Sequence, residues 1–387
     1  MAFKNQAAWI PAKKVVPFKI SSAPYTRPGP GQIVIKNGAV GINPFDWILQ
    51  YQASLLASHL TYPMILGIDV AGTVVEVGSG VTRFKVGDRV AGSAVSADKS
   101  VNSAAEGAFQ LYTVLRQHMV APVPDHVTDE QAAVLGLGLG TAAYGLFHKD
   151  YLALDMPQIP APKNPAPGRK YPRAIIITGG ASSVGCCAIQ LAVSAGYEVV
   201  STSSPKNFEY VKSLGASHVF DYNSKTLVAD LVRVLEGREL VGAYTVGANA
   251  DQICATVMKE RLAKTPDLPT RKFIALAGGG HKGADAFKGF LGPYRMMRGM
   301  MGMMGRNAVT KMLTGIEIKF IMIVGLVDPE SCVSHIYLDF LGPALAQRQF
   351  VPAPEPEVVG SGLEMINEAL EINQKGVSAK KIVVSLP

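Results

Sequence analysis

The clearest chemistry in the chain is carried by Ile175-Ile176-Ile177-Thr178-Gly179-Gly180-Ala181-Ser182-Ser183-Val184-Gly185. An all-apolar run enters a glycine-rich turn, and a helix-forming stretch leaves it. Against the pattern G-x-G-x-x-G, Gly180 and Gly185 match the first and third glycines, and Ser182 replaces the second. The first glycine permits a tight turn, and the third lets a helix pack closely on the strand. Backbone N–H groups of Ser182, Ser183 and Val184 then face a pyrophosphate at the positive end of that helix. A glycine turn alone is often only a turn; the strand before it and the helix after it favour a dinucleotide.

The next strand discriminates between nicotinamide cofactors. A strand that serves NAD usually ends in Asp or Glu, which accepts hydrogen bonds from the ribose hydroxyls. Val199-Val200-Ser201-Thr202-Ser203-Ser204-Pro205-Lys206 contains no acid. A carboxylate repels a 2′-phosphate, whereas hydroxyls and an ammonium bind it. Ser203, Ser204 and Lys206 therefore predict NADPH.

The elements that must position these residues follow a repeating order. Strands are expected over 174–178, 197–201, 218–221 and 273–277, with helices over 184–194, 208–214 and 227–235. That alternation predicts a parallel sheet wound with helices on both faces. Residues 5–124 instead alternate Val and Ile with polar residues, as in 32–37, 72–77 and 89–91, broken by pairs such as Pro30-Gly31 and Gly87-Asp88. This texture predicts a β-rich, barrel-like domain. A helix start is expected at Thr128-Asp129-Glu130-Gln131, with a helical stretch running through Tyr144 to Leu154. Six prolines within 156–172 rule out a helix there and mark a surface loop or insertion. A helix and a last strand, 381–384, close the chain.

Composition narrows the function classes. The chain has 387 residues, enough for two domains, and its 48% hydrophobic against 17% charged residues exclude global disorder. Its net charge is +7, but no Lys/Arg-rich run accompanies it, so a polyanionic cofactor or acidic partner is expected rather than nucleic acid. Cys186, Cys187, Cys254 and Cys332 match neither a disulfide framework nor a Cys-x-x-Cys zinc site and read as small buried hydrophobes. No apolar run suits a signal peptide or a membrane span, and a cytoplasmic location is the expectation.

Several further segments carry a family resemblance over nearly the whole chain. They are Gly41-Ile42-Asn43-Pro44-Phe45-Asp46-Trp47, Tyr62-Pro63-Met64-Ile65-Leu66-Gly67-Ile68-Asp69-Val70-Ala71-Gly72, Phe84-Lys85-Val86-Gly87-Asp88-Arg89-Val90, Gly107-Ala108-Phe109-Gln110 and Gly376-Val377-Ser378-Ala379-Lys380-Lys381. With them the chain resembles the zinc-independent branch of the medium-chain dehydrogenase/reductase superfamily. Within it, the resemblance points to quinone-oxidoreductase-like proteins and to fungal stand-alone (trans-acting) enoyl reductases of polyketide pathways. It implies an α/β protein: a GroES-like catalytic domain over 1–130, a Rossmann cofactor domain over 131–347 with insertions near 156–172 and 281–311, and a C-terminal return over 348–387. Zinc relatives place a metal-binding Cys and His where this chain has Asn43 and Ile68, neither of which replaces a thiolate or imidazole. No metal is expected.

The resemblance also implies hydride transfer from NADPH across a cleft between the domains. Asn43, Asp46, Trp47, Ile48 and Thr141 would flank the nicotinamide end, and Leu276 and Ala277 would approach it by backbone. Tyr222 would support the adenosine phosphate, and Val377 and Ser378 would return to close the site. Enoyl-reductase relatives commonly have lysine directly after Asp-Trp, where this chain has Ile48, which cannot donate a hydrogen bond. The proton must then come from elsewhere, with water or Tyr144 as candidates.

The function these readings predict is NADPH-dependent ene reduction of a lipophilic substrate in secondary metabolism. That substrate is an α,β-unsaturated small molecule or an acyl chain on an acyl carrier protein of a polyketide synthase. Reduction of quinones or small enones is a close alternative, and a cofactor-binding protein with a non-reductive or no catalytic role is a third. Segment 281–311 holds Met296, Met297, Met300, Met301, Met303 and Met304 with Lys282, Lys288, Arg295, Arg298, Arg306 and Lys311 against one acid, Asp285. It reads as a packed insertion, a loop against a second subunit, or an adaptable lipophilic surface. Monomer and homodimer both remain open.

Overall fold

The computed structural model describes residues 3–278, 287–289 and 291–387. They form two compact units. The first runs to Leu137, includes the described residues of 282–297, and resumes at Gly325–Pro387; the second comprises the described residues from Gly138 to Gly278 together with Arg298–Val324. Each has its own apolar core.

The first unit opens with β1 (Asn5–Ile10), β2 (Lys19–Ala23) and β3 (Gln32–Gly41). Helix α1 (Pro44–Leu56) follows, then β4 (Met64–Ile65), β5 (Asp69–Val77), β6 (Arg89–Ser93), β7 (Tyr112–Arg116) and β8 (Val120–Pro122). The strands match the expected β-rich texture, whereas α1 was not anticipated. Its start is nonetheless written locally. Pro44 opens the helix with a preset φ, and Asp46 Oδ2 accepts the Asn43 N–H at 2.8 Å. Helix α2 (Asp129–Ala132) begins where expected, because Thr128 and Gln131 cap each other through Gln131 N–H to Thr128 Oγ1 at 3.2 Å and Thr128 N–H to Gln131 Oε1 at 3.0 Å.

The expected helical stretch to Leu154 ends early. Helix α3 (Gly136–Phe147) stops at a turn, and Ala153 lies at φ 42°, outside helical space. The second unit then alternates β9 (Arg173–Ile177), α4 (Ser183–Ser194), β10 (Glu198–Ser203), α5 (Phe208–Ser213), β11 (His218–Asp221), α6 (Leu227–Val234), β12 (Glu239–Val246), α7 (Ala250–Lys264) and β13 (Phe273–Gly278). Helix α8 (Gly292–Thr314), from Arg298 on, and β14 (Glu317–Phe320) complete it. All six strands are parallel, in the order β11-β10-β9-β12-β13-β14. This is the doubly wound arrangement that the βα alternation predicts. The proline-rich 156–172 segment holds no helix or strand. Most of the methionine segment is α8; Lys282 and Asp285 lie outside the described residues.

The chain returns to the first unit through α9 (Cys332–His335), a π-helical turn at Ile336–Phe340, α10 (Leu341–Ala346), β15 (Glu355–Ser361), α11 (Met365–Lys375) and β16 (Lys380–Ser385). There β16 pairs with β3, joining β15, β5, β6, β7 and β8 in a seven-stranded sheet. No described helix is long and apolar enough to cross a membrane.

Candidate functional site

Parallel strands end on one edge, so the residues following β9, β10, β11 and β13 meet there. The carboxyl edge therefore collects Gly179–Val184, Ser203–Lys206, Tyr222 and Leu276–Ala277. At its centre the chain turns from β9 into α4 with Gly179 at φ 64°, so the strained residue is Gly179 rather than Gly180. Gly180 is required for a different reason: a Cβ there would stand 2.4 Å from Ser201 Oγ and 2.8 Å from Val211 Cγ1. A Cβ on Gly185 would stand 2.2 Å from the Gly179 carbonyl oxygen, so this glycine sets the close approach of helix to turn.

Ser182 caps α4 instead of presenting its amide outward. Its Oγ accepts the Gly185 N–H at 3.0 Å and donates to the Gly179 carbonyl at 2.7 Å, while its own N–H donates to that carbonyl at 2.9 Å. The expectation for the Ser182 N–H is thus corrected, since the turn consumes it. Ser183 and Val184 are the first two residues of a 12-residue helix, whose N–H groups have no acceptor within the helix. The Ser183 hydroxyl is buried and has no partner among the described residues. Beside it, Gly138 of α3 leaves room that a Cβ would take, 2.6 Å from Ser183 Oγ. Thr141 lies one turn on from Gly138, on the same face of α3, and its carbonyl accepts the Tyr244 hydroxyl at 3.0 Å. Two outward amides, an orphaned hydroxyl and a glycine-walled cradle fit a dinucleotide phosphate.

The rim of this edge is polar and free of acid at the carboxyl end of β10. Ser203 is buried, with its hydroxyl donating to the Ser204 carbonyl at 3.1 Å, and Ser204 Oγ accepts from Asn207 Nδ2 at 3.1 Å. Lys206 is exposed on the short turn Pro205–Asn207 and makes no ion pair among the described residues. Tyr222 is half exposed just past β11. Leu276 packs in the core and its carbonyl accepts the Ile321 N–H at 2.8 Å, leaving Ala277 as the partly exposed residue at the strand end. Tyr144 is buried, stacked on His148 at 4.3 Å; its hydroxyl donates to the Val324 carbonyl at 3.2 Å.

In the first unit, Asn43, Asp46, Trp47 and Ile48 open α1. Trp47 Nε1 donates to Asn373 Oδ1 at 3.0 Å, and Lys381 Nζ donates to Asn43 Oδ1 at 2.5 Å. These two ties bracket the exposed loop carrying Val377 and Ser378, which places it beside the start of α1. Ile48 packs against the core of its unit.

Sequence reading did not single out the charged pair beneath this helix. Lys381 Nζ lies 2.7 Å from Asp69 Oδ2, with both side chains at least 96% buried. Asp69 Oδ2 finds no well-aligned donor among the described residues, so the contact is an ion pair more than a directed hydrogen bond. Asp69 Oδ1 accepts the Leu137 N–H at 2.6 Å. Asp69 opens β5 before Val70-Ala71, and Lys381 stands second in β16 before Ile382-Val383; a charge leading an apolar run was the available signal. Burial, with the Asp69 charge adding to it, pushes the Asp46 carboxyl up to about 7, against the bond from the Asn43 backbone. Asn43 Nδ2 is buried without an acceptor among the described residues. An ammonium already occupies Asn43 Oδ1 and Asp69 Oδ2, so this donor set suits a fixed lysine and does not fit a metal ion.

Comparison with known proteins agrees with this architecture. Residues 29–125 match the alcohol dehydrogenase GroES-like domain. The chain is 44% identical to the dehydrogenase pigH of Monascus ruber over 387 residues, covering 99% of each. It is 34% identical to the trans-enoyl reductase himH of Aspergillus japonicus, covering 99% of this chain and 97% of that protein. Among solved structures, the enoyl reductase CurK superposes with a TM-score of 0.66 at 20% identity, covering 99% of both chains, which speaks to the fold alone. Enzymes of this kind generally work with a nicotinamide cofactor. Full-length identity at this level and the shared two-part fold establish that the chain belongs to the medium-chain dehydrogenase/reductase superfamily of oxidoreductases.

Proposed function

We propose that the protein is a zinc-free, NADPH-dependent enoyl reductase of the cytoplasm, acting on α,β-unsaturated acyl or carbonyl compounds. The observation that carries this reading is the carboxyl edge of the parallel sheet. There, the orphaned Ser183 hydroxyl and the glycine cradle adjoin an acid-free end of β10. NADPH, when bound, supplies a hydride. The amides of Ser183 and Val184 would hold its pyrophosphate, and Ser203, Ser204 and Lys206 its 2′-phosphate, with Tyr222 beside them. Asn43, held by Lys381, keeps one amide N–H donor pair for a polar group brought to the start of α1. Val377 and Ser378 flank that position in the first unit; in the second unit, Thr141 and Ala277 would line the nicotinamide end of the nucleotide.

Relatives that bear the name trans-enoyl reductase support the substrate class. A carrier-bound polyketide chain fits α8, which holds Arg295, Arg298, Arg306 and Lys311 and no acid. Its Met297, Met300, Met301 and Met304 are 40–65% exposed, whereas Met296 and Met303 pack on the cores. Purified protein is to be mixed with NADPH and a panel of enoyl thioesters, small enones and quinones, with and without EDTA. Turnover fastest on enoyl thioesters and unaffected by EDTA is expected. Turnover confined to quinones would replace the reading by quinone reduction, and turnover restored only by zinc would overturn it.

A further inference from the structure

The second unit has another cavity, of about 420 Å³, at the amino edge of its sheet. Arg173 opens β9, Glu239 opens β12 opposite it, and Tyr197 precedes β10. Five strand residues, roughly 3.3 Å each, separate this edge from the glycine turn, so the cavity is not part of the nucleotide cradle.

Three guanidinium groups line it, from Arg169, Arg173 and Arg271, against two carboxylates, from Asp155 and Glu239. Both carboxylates are engaged. Asp155 Oδ2 lies 2.5 Å from Arg173 Nη1, and Glu239 Oε2 lies 3.3 Å from Arg169 Nη1. Arg173 is also held over the Tyr197 ring, 4.3 Å from its centroid, and its buried Nε has no partner among the described residues. Arg271 has no acid partner among the described residues; its two terminal nitrogens donate to the Tyr151 and Leu152 carbonyls. Partial burial pulls its pKa below the usual guanidinium value, a cost that a nearby anion offsets. The lining thus carries one positive charge in excess, on a fork anchored by backbone and with N–H donors to spare.

We propose that this cavity is a second ligand site, binding small organic molecules through a phosphate or carboxylate group held by Arg271 and Arg169. Arg169 comes from the proline-rich 156–172 segment, which gives that segment a role. The site is independent of the nucleotide cradle and of any reductase chemistry.

Inorganic phosphate and citrate are the probes, titrated calorimetrically into the full-length protein at constant ionic strength. Saturable binding is expected, weakened about tenfold in Arg271→Gln, the usual effect of losing a charge-assisted contact. Glu239→Gln frees Arg169 and should tighten binding several-fold, a gain that misfolding cannot imitate. Arg233→Gln, an equal charge change on an exposed α6 pair, should leave binding as in the parent. Tighter phosphate than citrate identifies a phosphorylated ligand, and the reverse a polycarboxylate. Binding unchanged in both Arg271→Gln and Glu239→Gln, or abolished by Lys206→Ala instead, overturns the site.

Discussion

At the scale of single residues, three charges decide most of what can be tested. If Lys206 receives a 2′-phosphate, Lys206→Ala should weaken NADPH binding by about ten- to a hundredfold and leave NADH binding nearly unchanged. Fluorescence titration of both cofactors reads this directly, and equal losses for the two would refute the assignment. Asp46 behaves oppositely to a typical surface acid. Its carboxyl titrates near 7 in the folded chain and near 3.8 when unperturbed, so the folded state binds the extra proton between those values. The contribution of Asp46 to stability is therefore full below about pH 4, falls as pH rises towards 7, and is flat above. Asp46→Asn, which can still accept the Asn43 N–H, should flatten that slope in urea unfolding measured from pH 4 to 8. Lys381 sits on the other side of the ledger. Lys381→Met leaves Asp69 buried and unpaired, at a cost of roughly 3–5 kcal/mol. Adding Asp69→Asn should recover much of it. A double variant as unstable as the single one would mean that the lysine acts through packing and not charge.

At the scale of elements, α4 and α8 show opposite designs. Helix α4 is sealed at its start by the Ser182 cap and buried along most of its length, which fixes its first turn in place. Helix α8 is largely exposed, and Gly299, Gly302 and Gly305 face open space where a Cβ meets nothing within 4 Å. Glycine inside a helix costs about 0.8–1 kcal/mol against alanine. Replacing all three by alanine should raise helix content and protect α8 amides in hydrogen exchange. An unchanged exchange pattern would show that neighbouring structure, and not local propensity, holds the helix.

For the whole molecule, the net charge of +7 and the acid-free α8 predict how substrate delivery responds to salt. Acyl carriers are generally acidic, and attraction between exposed charges weakens as the Debye length falls from about 10 Å at 0.1 M to about 3 Å at 1 M. Reduction of a carrier-bound enoyl chain should therefore slow with salt, while reduction of a free enone should not. The triple variant Arg295→Glu, Arg298→Glu, Arg306→Glu should reproduce the effect at low salt. If it treats both substrates as the parent does, α8 is a structural insertion.

The parallel sheet, its glycine turn and the β-rich first unit were legible in the sequence because each rests on local pattern. An apolar run before glycines and a helix after them can be seen within about a dozen residues. Even there the local view named Gly180 for the tight turn, when the positive φ belongs to Gly179 and Gly180 is needed for its closeness to Ser201 and Val211, partners distant in sequence. The pair Asp69–Lys381, separated by over 300 positions, left no periodic trace, since β3, β5 and β16 had first to be laid side by side. The arginine cavity is similar: its residues are scattered from Ala153 to Arg271 and meet only because parallel strands begin on a common edge. Sequence alone thus determined where the glycine turn and the helix after it lie, since backbone turns and caps are written within a few positions. Tertiary structure alone decided which charges are buried together, because burial depends on neighbours that only folding supplies.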